Sequence, residues 1–175
     1  MQSDWRILEE EKSKTEVFGK VHQILRALGF EIAAVDNEKP WGGYFSLSEK
    51  HVERFIGIFF PGLELSEEQK NLKLSPKLLI VAPYQRLSWQ FHRRRAEIWK
   101  LVFGKASVIK SNTDKQGQEE RLTIEEHVQI GKGERHRLVG KNEWGIVAEI
   151  WIHTDPERPS DEDDIVRLED DFSRI

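Results

Sequence analysis

The sequence predicts a mainly β protein, a sandwich or barrel, covered by N-terminal α-helices. Three observations carry that expectation. From Phe30 onward, short runs rich in Val, Ile, Phe and Trp alternate with Gly, Pro, Asn and Asp, as in all-β sandwiches and barrels. Before Phe30, apolar residues recur at helical spacing and stop at a glycine. A chain of 175 residues with no cysteine is long enough to bury one core without disulfide staples.

From Ser3 to Gly29 the helical pattern falls in two pieces. Ser3 or Asp4 caps the first, whose stripe is Trp5, Ile7 and Leu8. In the second, Val17, Val21, Ile24, Leu25 and Leu28 share a face, and Gly29 supplies a left-handed stop. Strands are expected at Phe30 to Val35, Tyr44 to Leu47, Lys77 to Ala82, Leu87 to His92, Glu97 to Phe103, Ala106 to Lys110, Glu120 to Ile124 and Gly145 to His153. The run SNTDKQGQ, Ser111 to Gln118, reads as a hairpin loop. Gly62 to Ser75 is polar and irregular, with a short helix around Ser66 to Asn71. The expected division is a helical extension over 1–29 and a β domain over 30–175, with an acidic tail at 155–175.

Charge and composition exclude several function classes. With 27 Lys plus Arg against 31 Asp plus Glu, the net charge of -4 gives no global attraction to nucleic acid or anionic membrane. That sum hides unlike parts, because the tail carries nine acidic residues and three Arg, leaving the body at +2. Within the tail, Ile165, Val166, Leu168 and Phe172 argue that it packs back on the body. The absence of Cys removes thiol nucleophiles, iron–sulfur clusters and thiolate zinc sites. Any metal must sit on His, carboxylates or amides. No apolar stretch approaches the roughly 20 residues of a membrane helix, and MQSDWRILEEEKSK lacks signal-peptide blocks; the expected location is cytoplasmic.

The stretch LSWQFHRRRAEIWKLVFG, Leu87 to Gly104, carries the chemistry. On a strand, Gln90 and His92 face the same way because side chains alternate with period two. If Arg93 to Ala96 turn the chain, Glu97 begins the returning strand close to His92. In GKGERHRL, His136 follows a Gly-rich turn where another strand opens. Gln90, His92, Glu97 and His136 then form a mixed nitrogen and oxygen site suited to one divalent ion: zinc, manganese, iron, cobalt or nickel. Each of these residues alone is more simply read as an ordinary surface or core side chain.

The spacing Q-x-H-x4-E-x6-G ending at Gly104 resembles the first metal motif of cupins, and G-x-G-x2-H ending at His136 resembles the second. The chain looks like the cupin domain of type II mannose-6-phosphate isomerases, also found fused to mannose-1-phosphate guanylyltransferases. Four blocks in family order carry the match: KPWGGYF at Lys39 to Phe45, RLSWQFHRRRAEIW at Arg86 to Trp99, GKGERHRL at Gly131 to Leu138 and DEDDIVRLEDDFSR at Asp161 to Arg174. The resemblance implies a double-stranded β-helix, or jelly-roll, barrel over 30–175. Departures from the family are as informative. Arg94 and Ile98 stand where the mannose enzymes usually carry His, which implies altered pocket chemistry. A segment at 59–83 is an insertion relative to the family and is expected to add structure beside the pocket.

The resemblance implies a metal-dependent isomerase acting on a small sugar phosphate in carbohydrate or polysaccharide metabolism. Interconverting an aldose and a ketose needs a cation to polarise the carbonyl and a base to move a carbon-bound proton. Candidate bases are Glu149, in VAEIW, and Lys100; Glu149 is equally readable as a salt-bridge partner of Arg95 or Arg137. Arg94, Arg95 and Arg137 are candidates for sugar-phosphate contacts, with a solvated Arg triplet as the alternative. If the strand persists past His92, Arg94 shares the ligand face and Arg95 faces away. Trp41, between Pro40 and two glycines, either covers a sugar face or plugs the barrel edge. Three other functions stay open: a barrel that binds a sugar or sugar nucleotide without turnover, an isomerase for another sugar phosphate such as a heptose phosphate, and a metal oxygenase. A homodimer is common among cupins, and the N-terminal helices are candidates to serve it.

Overall fold

The computed structural model describes residues 5–8 and 13–174. The expected cap at Ser3 or Asp4 lies outside the described residues. After a 3-10 turn at Arg6–Leu8, helix α1 (Lys14–Ala27) opens on a capping box: the Ser13 hydroxyl accepts the Glu16 N–H, and the Glu16 carboxylate accepts the Ser13 N–H. Gly29, at φ 77°, follows its C-cap Leu28. Val17, Phe18, Val21, Ile24 and Leu25 form the buried face of α1, and burying each such side chain is worth about 1.5–3 kcal/mol.

The remaining elements are β1 (Ile32–Asp36), β2 (Gly42–Leu47), a 3-10 turn at Glu49–His51, α2 (Val52–Phe59), α3 (Glu67–Lys70), β3 (Lys77–Val81), β4 (Trp89–Phe91), β5 (Arg95–Ser111), β6 (Glu119–Arg121), β7 (His127–Ile130), β8 (Arg135–His153) and β9 (Val166–Glu169). Among the described residues, all nine strands belong to one antiparallel sheet, ordered β1-β2-β3-β8-β4-β9, with β5 pairing β6, β7 and β8. The two long strands pair from Arg95 opposite His153 to Ser111 opposite Arg135, with register shifts between Leu101 and Phe103 and between Gly104 and Ala106. At the second shift Gly104 has φ 74°, and a Cβ there would lie 1.8 Å from the Trp144 carbonyl oxygen. This bulge bends β5 and β8 together, so the later half of β8 meets β3 and its opening residues meet β4. The sheet thereby curls into a barrel-like form.

Period-two alternation sorts its side chains onto two faces. Leu78, Ile80, Ile146, Ala148 and Ile150 join the helices in an outer cluster with Phe45, Phe55 and Phe59. Leu79, Val81, Trp99, Leu101, Leu138 and Val147 form an inner cluster with Trp41. The 59–83 segment serves both, because Phe59, Phe60 and Leu74 pack outside while β3 gives Leu79 to the interior.

Several elements depart from expectation. The two strands read at Glu97 to Phe103 and Ala106 to Lys110 are one bent strand, β5, since Gly104 makes a bulge rather than an end. The strand expected to Ile124 stops at Arg121. α2, β7 and β9 were not expected at all. As expected, the tail packs back: β9 pairs β4, and Phe172 packs on the inner cluster. Among the described residues, no helix is long and apolar enough to cross a membrane.

Candidate metal centre and its cavity

The register of three strands assembles the ligands. Gln90 on β4 is the Cα partner of His136 on β8, and directly opposed residues of an antiparallel pair project to the same side. Residues 92–94 turn the chain, and Glu97 enters on β5 opposite Trp151. His92, Glu97 and His136 each offer a ligand atom within 4.8 Å of the others. His92 Nε2 lies 3.2 Å from Glu97 Oε1, and His136 Nε2 lies 3.3 Å from Glu97 Oε2. All three side chains, and Gln90, are buried.

The tautomers are set from behind. His92 Nδ1–H donates to the Asp164 carbonyl at 2.5 Å, and His136 Nδ1–H donates to the Glu134 carbonyl at 3.0 Å. Since a carbonyl can only accept, each neutral ring turns the Nε2 lone pair toward Glu97. Glu97 Oε2 and His136 Nε2 have no hydrogen-bond partner although both are shut off from solvent. Facing lone pairs on a buried imidazole and carboxylate repel unless a cation lies between them, so the residues fit a divalent ion. Burial lowers the affinity of His92 for a proton despite Glu97. Burial also pushes the Glu97 carboxyl up, but its interactions with His92, Arg95 and His136 outweigh it and hold the group well below the usual carboxylate range. Gln90 Oε1 accepts the Ser88 hydroxyl at 2.6 Å, while its Nε2 lies 3.4 Å from His92 Nε2. Rotating the amide by half a turn presents its oxygen to the centre, with Ser88 then accepting.

Beside the centre opens a cavity of about 230 Å³ whose walls include Trp41, Lys77, Gln90, Arg95, Glu97, Glu149, Trp151 and Arg167. Arg95 is held on all sides. It donates to Glu97 Oε1 at 2.8 Å, to Ser160 Oγ at 2.8 Å and to the Asp161 carbonyl at 3.0 Å, and it stacks 3.5 Å from the Trp151 ring centre. Its Nη2 also lies 3.0 Å from His92 Nε2. Glu149 is fully enclosed, with Trp99 Nε1–H donating to its Oε1 at 2.9 Å. Burial, and secondarily the Glu97 charge, push the Glu149 carboxyl up to about 7.

Of the residues singled out in the sequence, Gln90, His92, Glu97 and His136 come together, and Trp41, Arg95 and Glu149 line the adjoining cavity. Three do not. Lys100 follows Trp99 on β5, so alternation sends it to the outer side, where it lines a separate surface pocket with Trp5, Phe59 and Val102. Arg94 sits in the turn, bound to the Pro159 carbonyl, Asp161 and Asp164. The turn reverses the expected parity, placing Arg95 rather than Arg94 at the cavity. Arg137 is buried, with its Nε donating to the Leu87 carbonyl at 2.7 Å and its Nη2 to the Glu169 carbonyl at 3.4 Å; it pins the tail. Ile98 belongs to the outer cluster. The two positions where the family usually has His therefore leave the cavity wall untouched, which corrects the expectation of altered pocket chemistry.

Sequence reasoning missed Lys77, whose ammonium pairs with Glu162 and lies 3.7 Å from the Trp151 ring centre. It also missed Arg167 and the supporting Asp164. Only the position of the last two within DEDDIVRLEDDFSR marked them.

Residues 33–170 match the family model described as mannose-6-phosphate isomerase C-terminal. No curated protein matches the chain. Among solved structures, it is similar to the capsular polysaccharide assembling protein CapF from Staphylococcus aureus (18% identity, TM-score 0.50), covering 81% of this chain and 32% of that one. It is also similar to an oxalate decarboxylase variant of Bacillus subtilis (12% identity, TM-score 0.56, 79% and 32% covered) and to procruciferin, an 11S globulin from Brassica napus (13% identity, TM-score 0.51, 77% and 29% covered). The chain spans about a third of the length of these structures. The shared feature is the cupin barrel, a fold common to unlike functions.

Proposed function

From the premise that this chain belongs to the mannose-6-phosphate isomerase C-terminal family, we propose that its barrel is a metal-dependent isomerase interconverting an aldose phosphate and a ketose phosphate. The observation that carries this reading is Glu149, an enclosed carboxyl pushed up to about 7, which lines with Gln90 and Glu97 the cavity beside the His92, Glu97 and His136 triad.

His92, Glu97 and His136, with Gln90 after amide rotation, would hold the ion, which when bound supplies a Lewis acid for the sugar carbonyl and its developing oxyanion. The protein's own residues do the rest. Glu149, as carboxylate, takes the proton from the carbon next to the carbonyl and delivers it to the carbonyl carbon, while the hydroxyl proton on the first carbon passes to the old carbonyl oxygen, so one group serves as base and then acid. The indole N–H of Trp99 fixes one Glu149 oxygen and leaves the other for the transfer. Trp41 and Trp151 give the cavity apolar walls that limit water beside the enediol. Arg95 places a fixed positive charge where negative charge develops.

The test is turnover of mannose 6-phosphate and a panel of other aldose phosphates by protein of known metal content, with and without chelator. Metal-dependent turnover that Glu149→Gln lowers by about 10²-fold or more is expected. Retained metal with no turnover on any sugar phosphate would overturn the reading in favour of binding alone.

A further inference from the structure

We infer that Arg167 is the anion anchor of this cavity and takes the phosphate of the bound sugar phosphate; this rests on the reading of the cavity as a sugar-phosphate site. Arg167 on β9 is the Cα partner of Gln90, and Gln90 is in turn the Cα partner of His136. Opposed residues share a face, so Arg167, Gln90 and His136 form one row across β9, β4 and β8. Neighbouring strands lie about 4.8 Å apart, which sets Arg167 one strand beyond Gln90 along the cavity wall.

The other cations of that wall are committed. Lys39 pairs with Asp36, Lys77 with Glu162, Arg95 with Glu97 and Arg174 with Asp170. Among the described residues, Arg167 alone of the wall's cations has no carboxylate partner, and its Nε is shut off from solvent with no acceptor. It lacks one within a tail of nine acidic residues, several of which are spent on other partners: Asp161 and Asp164 on Arg94, Asp170 on Arg174, Asp171 on Arg86. A guanidinium N–H buried without an acceptor is costly, and that cost is removed when a small turn of the side chain brings it onto a ligand oxygen in the cavity. The planar fork suits the paired oxygens of a phosphate. A sugar lying along the row would then have its carbonyl end toward His136 and its phosphate at Arg167.

The experiment compares the wild-type full chain with Arg167→Met and Arg167→Lys, all metal-loaded, by calorimetric titration with mannose 6-phosphate, inorganic phosphate, mannose and glucuronate. Arg167→Met is expected to lose about tenfold or more in affinity for mannose 6-phosphate and inorganic phosphate, to bind mannose as before, and to keep its metal. Arg167→Lys, which keeps the charge without the fork, should recover part of the loss. Unchanged phosphate affinity in Arg167→Met overturns the inference, as does an equal loss of mannose binding. Tighter binding of glucuronate than of mannose 6-phosphate also overturns it, by making the anion a carboxylate. Because the readout is binding, a protein that captures phosphate through Arg167 yet turns over no sugar phosphate upholds this inference while removing the isomerase reading.

Discussion

Asp164 holds His92 twice over. Its backbone carbonyl accepts the Nδ1 hydrogen of His92 at 2.5 Å, while its carboxylate accepts the Arg93 and Arg94 N–H groups at 3.1 and 2.9 Å and the Ser160 hydroxyl at 2.7 Å. The two backbone donors fall on the turn between β4 and β5, so a residue of the acidic tail fixes both the ring's tautomer and the hairpin that brings Glu97 beside it. Such outer partners typically carry a 10–100-fold share of metal affinity. Asp164→Ala should therefore weaken metal binding by about that range without changing a ligand. A titration with zinc or manganese measures it, and affinity equal to wild type would remove the tail from the construction of the site.

Arg94→His restores a residue usual in the family, yet it should leave substrate preference unchanged. The Arg94 side chain points away from the cavity to Asp161 and the Pro159 carbonyl. The cost is confined to its contacts with the Pro159 carbonyl, Asp161 and Asp164, none of which lies in the cavity wall that carries Glu149. Relative kcat/KM values over a sugar-phosphate panel provide the check; a gain specific to mannose 6-phosphate would place position 94 in the substrate site after all.

These two residues show what the sequence made legible. Gln90 and His92 were readable because period-two alternation holds up to the end of β4, and Glu97 because a hairpin returns it to the same place. Alternation fails across residues 92–94, which turn, and so Arg94 and Arg95 exchanged their expected sides. Gly104 read as a terminator because a bulge and a strand end call for the same backbone freedom. α2 carries Val52, Phe55, Ile56 and Phe59 at helical spacing, but its apolar run also suits a strand. β9 is four residues inside a charge-rich tail, where only pairing with β4 makes a strand. Arg167 became visible as a wall residue once that pairing set its register.

Removing one histidine should separate metal binding from folding. His136 Nε2 has no protein hydrogen bond to lose, whereas its Nδ1–H contact with Glu134 is local to one strand end. His136→Ala should abolish stoichiometric metal binding. In thermal melts, wild type should gain stability with added metal, about 2.7 kcal/mol at a hundredfold excess over Kd, and the variant should gain nothing. Equal metal-induced shifts in the two proteins would show that ions bind elsewhere.

Glu149 should leave a pH signature in both stability and catalysis. Its folded pKa of about 7 stands above the ordinary 4.5, so between those values the folded state holds a proton that the unfolded state has released. Stability of the metal-free protein therefore falls as pH rises from about 4.5 to about 7 and is level beyond, a loss on the order of 3 kcal/mol from this group. Glu149→Gln cannot release that proton, so its stability relative to wild type should increase across the same window and be greatest at pH 8. Denaturant melts of chelated protein at pH 5 and pH 8 measure the difference directly. Catalysis requires the opposite state, because only the carboxylate accepts a carbon-bound proton. In wild type kcat should rise with pH as Glu149 ionises, at a lower pH than in the metal-free protein because a cation on Glu97 favours the carboxylate, and the variant should lose activity rather than shift the limb. A variant that is no more stable at pH 8, with a wild-type pH profile, would mean that Glu149 neither titrates in this range nor moves the proton.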